Sequence, residues 1–256
     1  MATAGAVSPP TLIGSVQRAL RLLEAVGNHS GGAPAKQLAR EAGLPLPTAY
    51  HLLRTLTHEG YLRREKGLFV YGEAAATLAA NSGRQRARAT LAESVHALSG
   101  HLGVPVYFAL YREGEIDVVS VADSPGLPAV EEWADFRQTA HAHAIGQCLL
   151  AQLDEEARQD HLSRYPVQAI TPYTVRDREA MLNRLAAVQP RQPVIERQEY
   201  ALGTVCAAFP VTAGAGAATM AISLPVQQAV RLGPVAEELR RRMGELLNSL
   251  SFTISI

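Results

Sequence analysis

Side chains suited to hydrogen bonding with nucleic-acid bases recur between residues 46 and 58. The apolar residues of this segment are spaced at i, i+3, i+4 and i+7, which predicts a helix with one buried face. That face comprises Ala49, Leu52, Leu53 and Leu56. The opposite face carries donors, acceptors and cations, which fits the major groove of DNA, where base edges are distinguishable. Its residues are Thr48, Tyr50, His51, Arg54, Thr55 and His58.

A short basic hairpin is predicted directly after this helix. Two runs typical of strands, 61–64 and 68–71, flank Lys66-Gly67, which favours a tight turn. The cations of this hairpin suit backbone phosphates, so binding through them is expected to depend on salt. The complete predicted DNA-binding set is Lys36, Thr48, Ala49, Tyr50, His51, Arg54, Thr55, Arg63, Arg64 and Lys66.

Two more helices are predicted ahead of the base-contacting helix. The first has its apolar face at positions 16, 19, 20 and 23, with Ser15 as a candidate N-cap and Gly27 at its end. The second has a face of mostly small residues between 35 and 42 and ends at Gly43, where a left-handed conformation costs glycine little. With Pro47 in the first turn of the third helix and Gly60 at its end, the arrangement predicts a winged helix-turn-helix.

The charge distribution separates the chain into two parts. Overall, 24 Lys and Arg balance 24 Asp and Glu across 256 residues. Residues 1–90 contain 2 Lys and 9 Arg against 5 Glu, whereas residues 91–256 contain 13 Arg against 19 acidic residues. This asymmetry predicts a basic and an acidic module with different partners.

Two cysteines are too few for a disulfide scaffold, and no apolar run reaches the roughly 18 residues of a membrane span. With no secretory leader expected at the start either, we predict a cytoplasmic protein.

An antiparallel sheet with helices is predicted after a helical connector. The connector covers Glu73 to Leu102, with a possible break near Ser82-Gly83. Apolar residues then alternate from Val104 to Leu110, and Glu113-Gly114 turns the chain into a second strand at 116–121. Helices are predicted at 141–153, 179–188 and 235–250, and strands at 204–211 and 218–224, joined by a Gly-rich turn. This order indicates an α+β fold.

The residues resemble those of IclR-type transcriptional regulators over roughly 13–250. The resemblance rests on three segments in order: the winged helix with QLA at 37–39, YHLLRTL at 50–56 and GYL at 60–62; HAHAIGQ at 141–147; and EYALGTVCAAFPV at 199–211. Four places depart from the family pattern. Gln147 stands where the family usually has Lys, His51 where it often has Arg, and Glu196 where Asp is common. Gln192-Pro193 occupies a place where Gly is usual.

The resemblance implies an N-terminal winged helix-turn-helix, a linker helix and a C-terminal GAF-like effector-binding domain. It also implies binding of operator DNA under the control of a small molecule, frequently a carboxylate or aromatic metabolite. Homodimers that often pair into homotetramers are expected, with no cofactor and no membrane partner. By position, the effector contacts would fall on Ala144, Ile145, Glu196, Cys206 and Ser223. The expected domains are a mobile N-terminus at 1–12, a DNA-binding domain at 13–73, a linker at 74–103 and an effector domain at 104–256.

Other interpretations remain open from the residues. The amides at the start of the 141–153 helix suit a carboxylate, and residues 219, 221 and 223 share one strand face with room for a ligand. Cys206 with His141 or His143 could form a nucleophile pair, although a lone Cys on an apolar strand is more often a core residue. No metal-ligand spacing is present, so neither catalysis nor metal binding is expected. The rivals are a constitutive DNA-binding protein and an enzyme with a basic accessory domain.

Overall fold

The structure, a computed structural model, describes residues 12–132, 134–189, 192–213 and 216–250. It divides into two compact units, residues 1–85 and 86–256. The helix α4, Glu73–Leu102, contains the division. Gly83 lies within this helix, so the predicted break near Ser82-Gly83 is wrong; one exposed helical glycine costs only about 1 kcal/mol relative to alanine. The predicted mobile N-terminus falls almost entirely outside the described residues, as does the middle of the predicted 212–217 turn.

The smaller unit is a three-helix module with a hairpin. Its elements are α1 Gly14–Gly27, α2 Ala35–Glu41, α3 Leu46–His58, β1 Leu62–Glu65 and β2 Leu68–Tyr71. Helix α1 starts one residue before Ser15 and has Ile13 as its N-cap without a side-chain hydrogen bond, so the predicted Ser15 cap is wrong. Lys66 and Gly67 both have positive φ, as a tight hairpin turn requires.

Small residues let the helices of this unit approach closely. Ala39 on α2 and Ala49 on α3 are both buried in a core that contains Leu38 and Leu53. Gly43 ends the α2 turn with φ 65°, as expected from the sequence. Tyr71 on β2 donates a hydrogen bond to the carbonyl oxygen of Leu23 at 3.0 Å, which fixes the hairpin to α1. The core therefore holds the polar face of α3 beside the hairpin.

The larger unit is built on a five-stranded antiparallel sheet in the order β4-β3-β7-β6-β5. Its strands are β3 Val106–Arg112, β4 Glu115–Ala122, β5 Val194–Arg197, β6 Thr204–Ala213 and β7 Gly216–Pro225. Its helices are α5 Ala144–Gln152, α6 Glu155–Arg164, α7 Arg178–Ala186 and α8 Leu232–Leu250. A 3₁₀ helix, Val226–Arg231, precedes α8. The sequence missed α6 and the short strand β5. It also started α5 three residues early, because His143 has an extended backbone and caps the helix.

Strand alternation gives the sheet two different faces. Met220, Ile222 and Leu224 pack with the apolar residues of α4 and α8. Tyr107, Ala109 and Ala221 pack on the other side with α5 and α7. This division follows from the two-residue period of a strand and places the small side chains of β7 opposite the start of α5.

Candidate functional site

The predicted DNA-binding residues lie on the hairpin, on α3 and, for Lys36, on α2 of the smaller unit. Tyr50, His51, Arg54 and Thr55 are exposed on α3, and Thr48 is half-buried in its first turn. The hairpin residues Arg63, Arg64 and Lys66 are exposed as well, and so is Lys36 on α2. A groove between α3 and the hairpin is lined by Tyr50, His51, Arg54, Thr57, His58, Arg64 and Phe69.

Ala49 is a correction to this set. It is fully buried, because it lies on the face of α3 that packs into the core of the smaller unit. The Ala49 methyl group packs in the core, where it holds the helix in place and cannot contact DNA.

Intramolecular contacts already organise several of these polar groups. The Arg54 guanidinium donates to Nδ1 of His51 at 3.0 Å, so the ring presents its Nε2–H outward. Arg63 pairs with Glu65 and donates to the carbonyl oxygen of Tyr71. Arg64 stacks over Phe69, 5.8 Å from the ring centre. Lys66, at the turn, has no such contact among the described residues.

The larger unit contains a cavity of about 30 Å³ beneath the start of α5. Four of the five predicted effector contacts line it: Ala144 and Ile145 on α5, Glu196 on β5 and Cys206 on β6. The fifth, Ser223, pairs with Cys206 in the β6–β7 register. The Ser223 hydroxyl lies 3.0 Å from that of Tyr107, which does line the cavity. The structure thus brings these five residues from four elements together.

The start of α5 borders the cavity and is capped by His143. His143 accepts a hydrogen bond from Gly146 N at Nδ1, 2.9 Å away, while its Nε2 contacts the carbonyl oxygen of Phe136 at 3.0 Å. The amides of Ala144 and Ile145 make no hydrogen bond within the described part of the chain. Free amides at a helix start attract anions.

Gly146 sets how closely α5 approaches the preceding loop. A Cβ atom at this position would clash with the backbone of Ala140. Only glycine allows this approach, so the position of the α5 amides depends on it.

Glu196 is a fully buried acid that lines the cavity. It is 0% exposed, and its Oε1 accepts hydrogen bonds from the amides of Glu199 and Tyr200, whereas its Oε2 makes none among the described residues. Burial raises the pKa of this carboxyl to about 7 against the lowering effect of the two amides. A carboxyl in this setting is poised to exchange a proton near neutral pH.

Two aromatic rings close one side of the cavity. Phe136 stacks on Tyr200 with ring centres 5.0 Å apart, and it meets His143 edge-on at 4.8 Å. The Tyr200 hydroxyl donates to the carbonyl oxygen of Ala134 at 2.6 Å. Tyr107 accepts from the amide of Val130 at 2.7 Å. These bonds tie the loop before α5 to the sheet.

Sequence reasoning missed Tyr107 and Tyr200 as cavity residues. From sequence alone, Trp133 and Phe136 are candidates for a pocket wall, an oligomer contact or ordinary packing, and Phe136 does line the cavity. Tyr107 is out of phase with the alternating residues at 104, 106, 108 and 110, which is a signal that it faces the other side of the sheet. Tyr200 lies in a turn, where no periodicity marks it. Trp133, the other aromatic candidate, lies outside the described residues.

A nucleophile pair is not formed by Cys206 and the histidines. Burial raises the pKa of the Cys206 thiol well above its usual range, so the thiol does not provide a thiolate nucleophile. Burial also lowers the pKa of His143 to about 4, and both of its nitrogens are engaged. No group of three metal-ligating side chains occurs within the described ranges, and none of the helices found there has the length and apolar character of a membrane span.

Comparison with known proteins matches both units. A family described as the IclR helix-turn-helix domain matches residues 15–66, and one described as the bacterial transcriptional regulator IclR C-terminal matches residues 83–255. The p-hydroxybenzoate hydroxylase transcriptional activator of Acinetobacter baylyi is 26% identical, over 92% of this chain and 91% of that protein. The transcriptional repressor IclR of Escherichia coli is 28% identical, over 79% of this chain and 76% of that protein.

A solved structure has the same fold. An IclR homolog from Microbacterium hydrocarbonoxydans, crystallised in complex with 4-hydroxybenzoate, aligns with a TM-score of 0.54 and 25% identity. The alignment covers 90% of this chain and 95% of that one. A helix-turn-helix unit followed by an antiparallel sheet that borders a mostly apolar cavity is the architecture of a ligand-responsive transcriptional regulator. The chain belongs to the IclR family of bacterial transcriptional regulators.

Proposed function

We propose that α3 and the hairpin bind operator DNA. In this proposal Thr48, Tyr50, His51, Arg54 and Thr55 face the bases, and a second group of residues faces the phosphates. Support comes from their exposure and from the positive charge of residues 1–90. The phosphate-facing residues are Lys36, Arg63, Arg64 and Lys66.

The cavity of the larger unit is proposed as the effector site. The observation that carries this assignment is that one cavity is lined both by Ala144 and Ile145, at the start of α5, and by Glu196, a buried carboxyl with one oxygen that makes no hydrogen bond among the described residues. Unpaired buried polar groups cost free energy, and a ligand with complementary groups recovers that cost. Cys206 and the Ser223–Tyr107 pair complete the proposed contacts.

The cavity is too small for a ring-sized effector unless its walls move. A volume of about 30 Å³ holds roughly two water molecules. A ring-sized effector therefore has to displace Phe136 and Tyr200, which also releases the loop bonded to Tyr107. An effector that binds only after this displacement favours one conformation over another, and such a difference in affinity is what a switch requires.

A small aromatic carboxylate is the proposed effector class. The free amides suit a carboxylate, and the cavity is lined mostly by apolar and aromatic side chains. The similarity to an activator named for p-hydroxybenzoate hydroxylase and to a homolog crystallised with 4-hydroxybenzoate agrees with this class.

The remaining proposals follow from the family. We expect a homodimer, with a homotetramer as the larger assembly, because operator half-sites are commonly read by symmetric pairs. We also expect a cytoplasmic protein without catalytic activity, in which the Cys206 thiol serves as a cavity wall.

Binding experiments on the full chain test the proposal. We expect a gel shift with the DNA upstream of its own gene that weakens as salt increases. We also expect 4-hydroxybenzoate to raise the melting temperature in a concentration-dependent way. A salt-independent or absent gel shift would contradict the DNA assignment. A gel shift that no carboxylate alters, with no thermal shift, would favour a constitutive DNA-binding protein.

A further inference from the structure

We infer that Glu196 selects effectors that carry a hydroxyl group in addition to their carboxylate, by accepting a hydrogen bond from that hydroxyl. The inference rests on the proposed function, because it assumes that the cavity takes the effector. It adds a requirement that a carboxylate site alone does not impose, and it predicts which of two nearly identical acids binds.

The vacant oxygen of Glu196 is the starting observation. Oε1 accepts from the two backbone amides that follow it in the turn, whereas Oε2 makes no hydrogen bond among the described residues, and the donor beside the carboxyl is the Cys206 thiol. The adjacent Cys206 thiol is the cross-strand neighbour of Glu196, and a thiol is only a weak donor. A buried acceptor without a partner is costly, so a donor from the ligand has a large effect on affinity.

No cation in the described residues neutralises Glu196. The nearby cation, Arg184 on α7, is engaged with Glu199, at 2.8 and 2.7 Å from its two carboxylate oxygens. The buried amide of Gln147 also faces Glu199 and the carbonyl oxygen of His141. Glu196 and Glu199 are thus three residues apart but differ in role, since Glu199 is paired within the protein and Glu196 faces the cavity.

Charge decides which end of the ligand meets Glu196. A ligand carboxylate placed beside this carboxyl would bring two acids together in a poorly solvated site, which is unfavourable once both are ionised. The amides of Ala144 and Ile145 offer the anion a better position on the same cavity. The ligand's hydroxyl is then the group left to reach Glu196.

Proton linkage gives a signature of this arrangement. The titratable groups that line the cavity beside Glu196 stay neutral near pH 7: the pKa of His143 is lowered to about 4, that of Tyr107 is raised to about 12, and that of Cys206 is well above its usual range, each mainly by burial. The nearby charge is that of Glu199, which is paired with Arg184 and adds to the raised pKa of Glu196. Glu196 itself has a pKa of about 7. A hydroxyl donor favours the ionised carboxylate, so the ligand should bind more tightly as pH rises from 6 to 8.

Titration calorimetry on the full chain with two matched pairs of acids tests the inference. The pairs are 4-hydroxybenzoate with benzoate, and lactate with propionate. For at least one pair we expect the hydroxylated acid to bind about tenfold or more tightly, because a site built for a hydroxyl rejects the analogue that lacks it. Its affinity should rise about tenfold between pH 6 and 8, with roughly half a proton released at pH 7.

Glu196→Gln is the decisive variant. Its single oxygen stays with the turn amides and its NH₂ group faces the cavity, where the ligand hydroxyl can then only accept, so the hydroxyl preference should weaken and the proton release should disappear. Glu199→Gln is the matched control, because it removes a carboxylate from the same turn without touching the cavity. It should keep the hydroxyl preference, while loss of its charge lowers the pKa of Glu196 and reduces the proton release at pH 7. Melting curves of the two variants establish that they fold.

The outcomes distinguish a failure of the proposed role of Glu196 from a failure of the proposed effector class. Equal or tighter binding of the acid without a hydroxyl, or affinity that falls as pH rises, overturns the role of Glu196 while the effector site stands. Retention of the full preference in Glu196→Gln overturns it as well. If none of the four acids binds, the proposed effector class itself fails, and the inference fails with it.

Discussion

The proposed DNA-binding surface and the proposed effector cavity are built in opposite ways. The first consists of exposed polar side chains carried on elements that lie within residues 35–71. The second gathers buried groups from strands, a helix and loops between residues 107 and 223. Truncation of one side chain of the surface alters at most a few exposed contacts, such as that between Arg54 and His51. A change in the cavity acts on packing, protonation and ligand binding together.

The largest expected effect comes from the cavity backbone. Gly146→Ala should lower the free energy of unfolding by about 3 kcal/mol or more, because its methyl group meets rigid backbone at Ala140. Gly100→Ala is the matched control: its added Cβ has open space on helix α4, so it should be neutral or stabilise by up to about 1 kcal/mol. Urea denaturation at fixed protein concentration measures both. Equal midpoints for the two variants would contradict the close approach at α5.

Protonation of Glu196 should produce the next largest effect. The folded chain holds this proton up to about pH 7, whereas the unfolded chain releases it near pH 4.5, so ionisation opposes folding. Between pH 5 and 8 the wild type should lose on the order of 3 kcal/mol of stability relative to Glu196→Gln. The measurement is the difference between their unfolding free energies, because the buried histidines, with lowered pKa values, act on both proteins alike and in the opposite direction. A constant difference across this range would refute the raised pKa.

Arg54→Ala tests the surface at a residue proposed to contact a DNA base. Loss of a base-contacting arginine should weaken operator binding by about 1–3 kcal/mol, or roughly 5–150-fold, and relax the preference at one base position. It also frees Nδ1 of His51, which the arginine holds. Arg176→Ala removes an exposed arginine of the larger unit and should bind as the wild type does. Unchanged affinity of Arg54→Ala, measured by fluorescence anisotropy, would remove α3 from the interface.

Lys66→Ala should have the smallest effect on DNA affinity, and that effect should not depend on the DNA sequence. Removing one ammonium group that faces a phosphate at the hairpin turn weakens binding to all sequences alike and lowers the magnitude of the logarithmic salt slope by about 1. Anisotropy titrations at four salt concentrations, on operator and on unrelated DNA, measure this slope. Weakening confined to the operator would mean that the hairpin reads bases.

The sequence predicts the surface more completely than the cavity, because the surface is encoded locally. Helical spacing placed the apolar face of α3, and the pair Lys66-Gly67 placed the hairpin turn, which the structure confirms. Ala49 shows the limit of that reasoning, since it belongs to the apolar pattern and was still included among the DNA-binding residues. A residue on the buried face of an amphipathic helix cannot also belong to its exposed face.

The cavity depends on contacts that no local pattern encodes. Its residues were identified from family resemblance, and their spacing alone does not show that Glu196 and Ile145 line one space. Strand β5 was missed because four edge residues carry little periodicity. Helix α6 did carry a signal, since Asp154 caps it and two glutamates follow in its first turn. The α5 start was misplaced because His143 fits a helical pattern but serves as the cap.

The close approach at Gly146 has a consequence for how this sensor can change during evolution or design. The carboxylate end of the proposed site is made of backbone, which point mutations cannot easily reshape. The opposite end is made of side chains, chiefly those of Phe136, Glu196 and Tyr200, and these can be exchanged one at a time. New effectors are therefore expected to share an acid group and to differ in everything attached to it. Under this proposal the backbone fixes the binding of the acid group, and a few replaceable side chains determine which acid is bound.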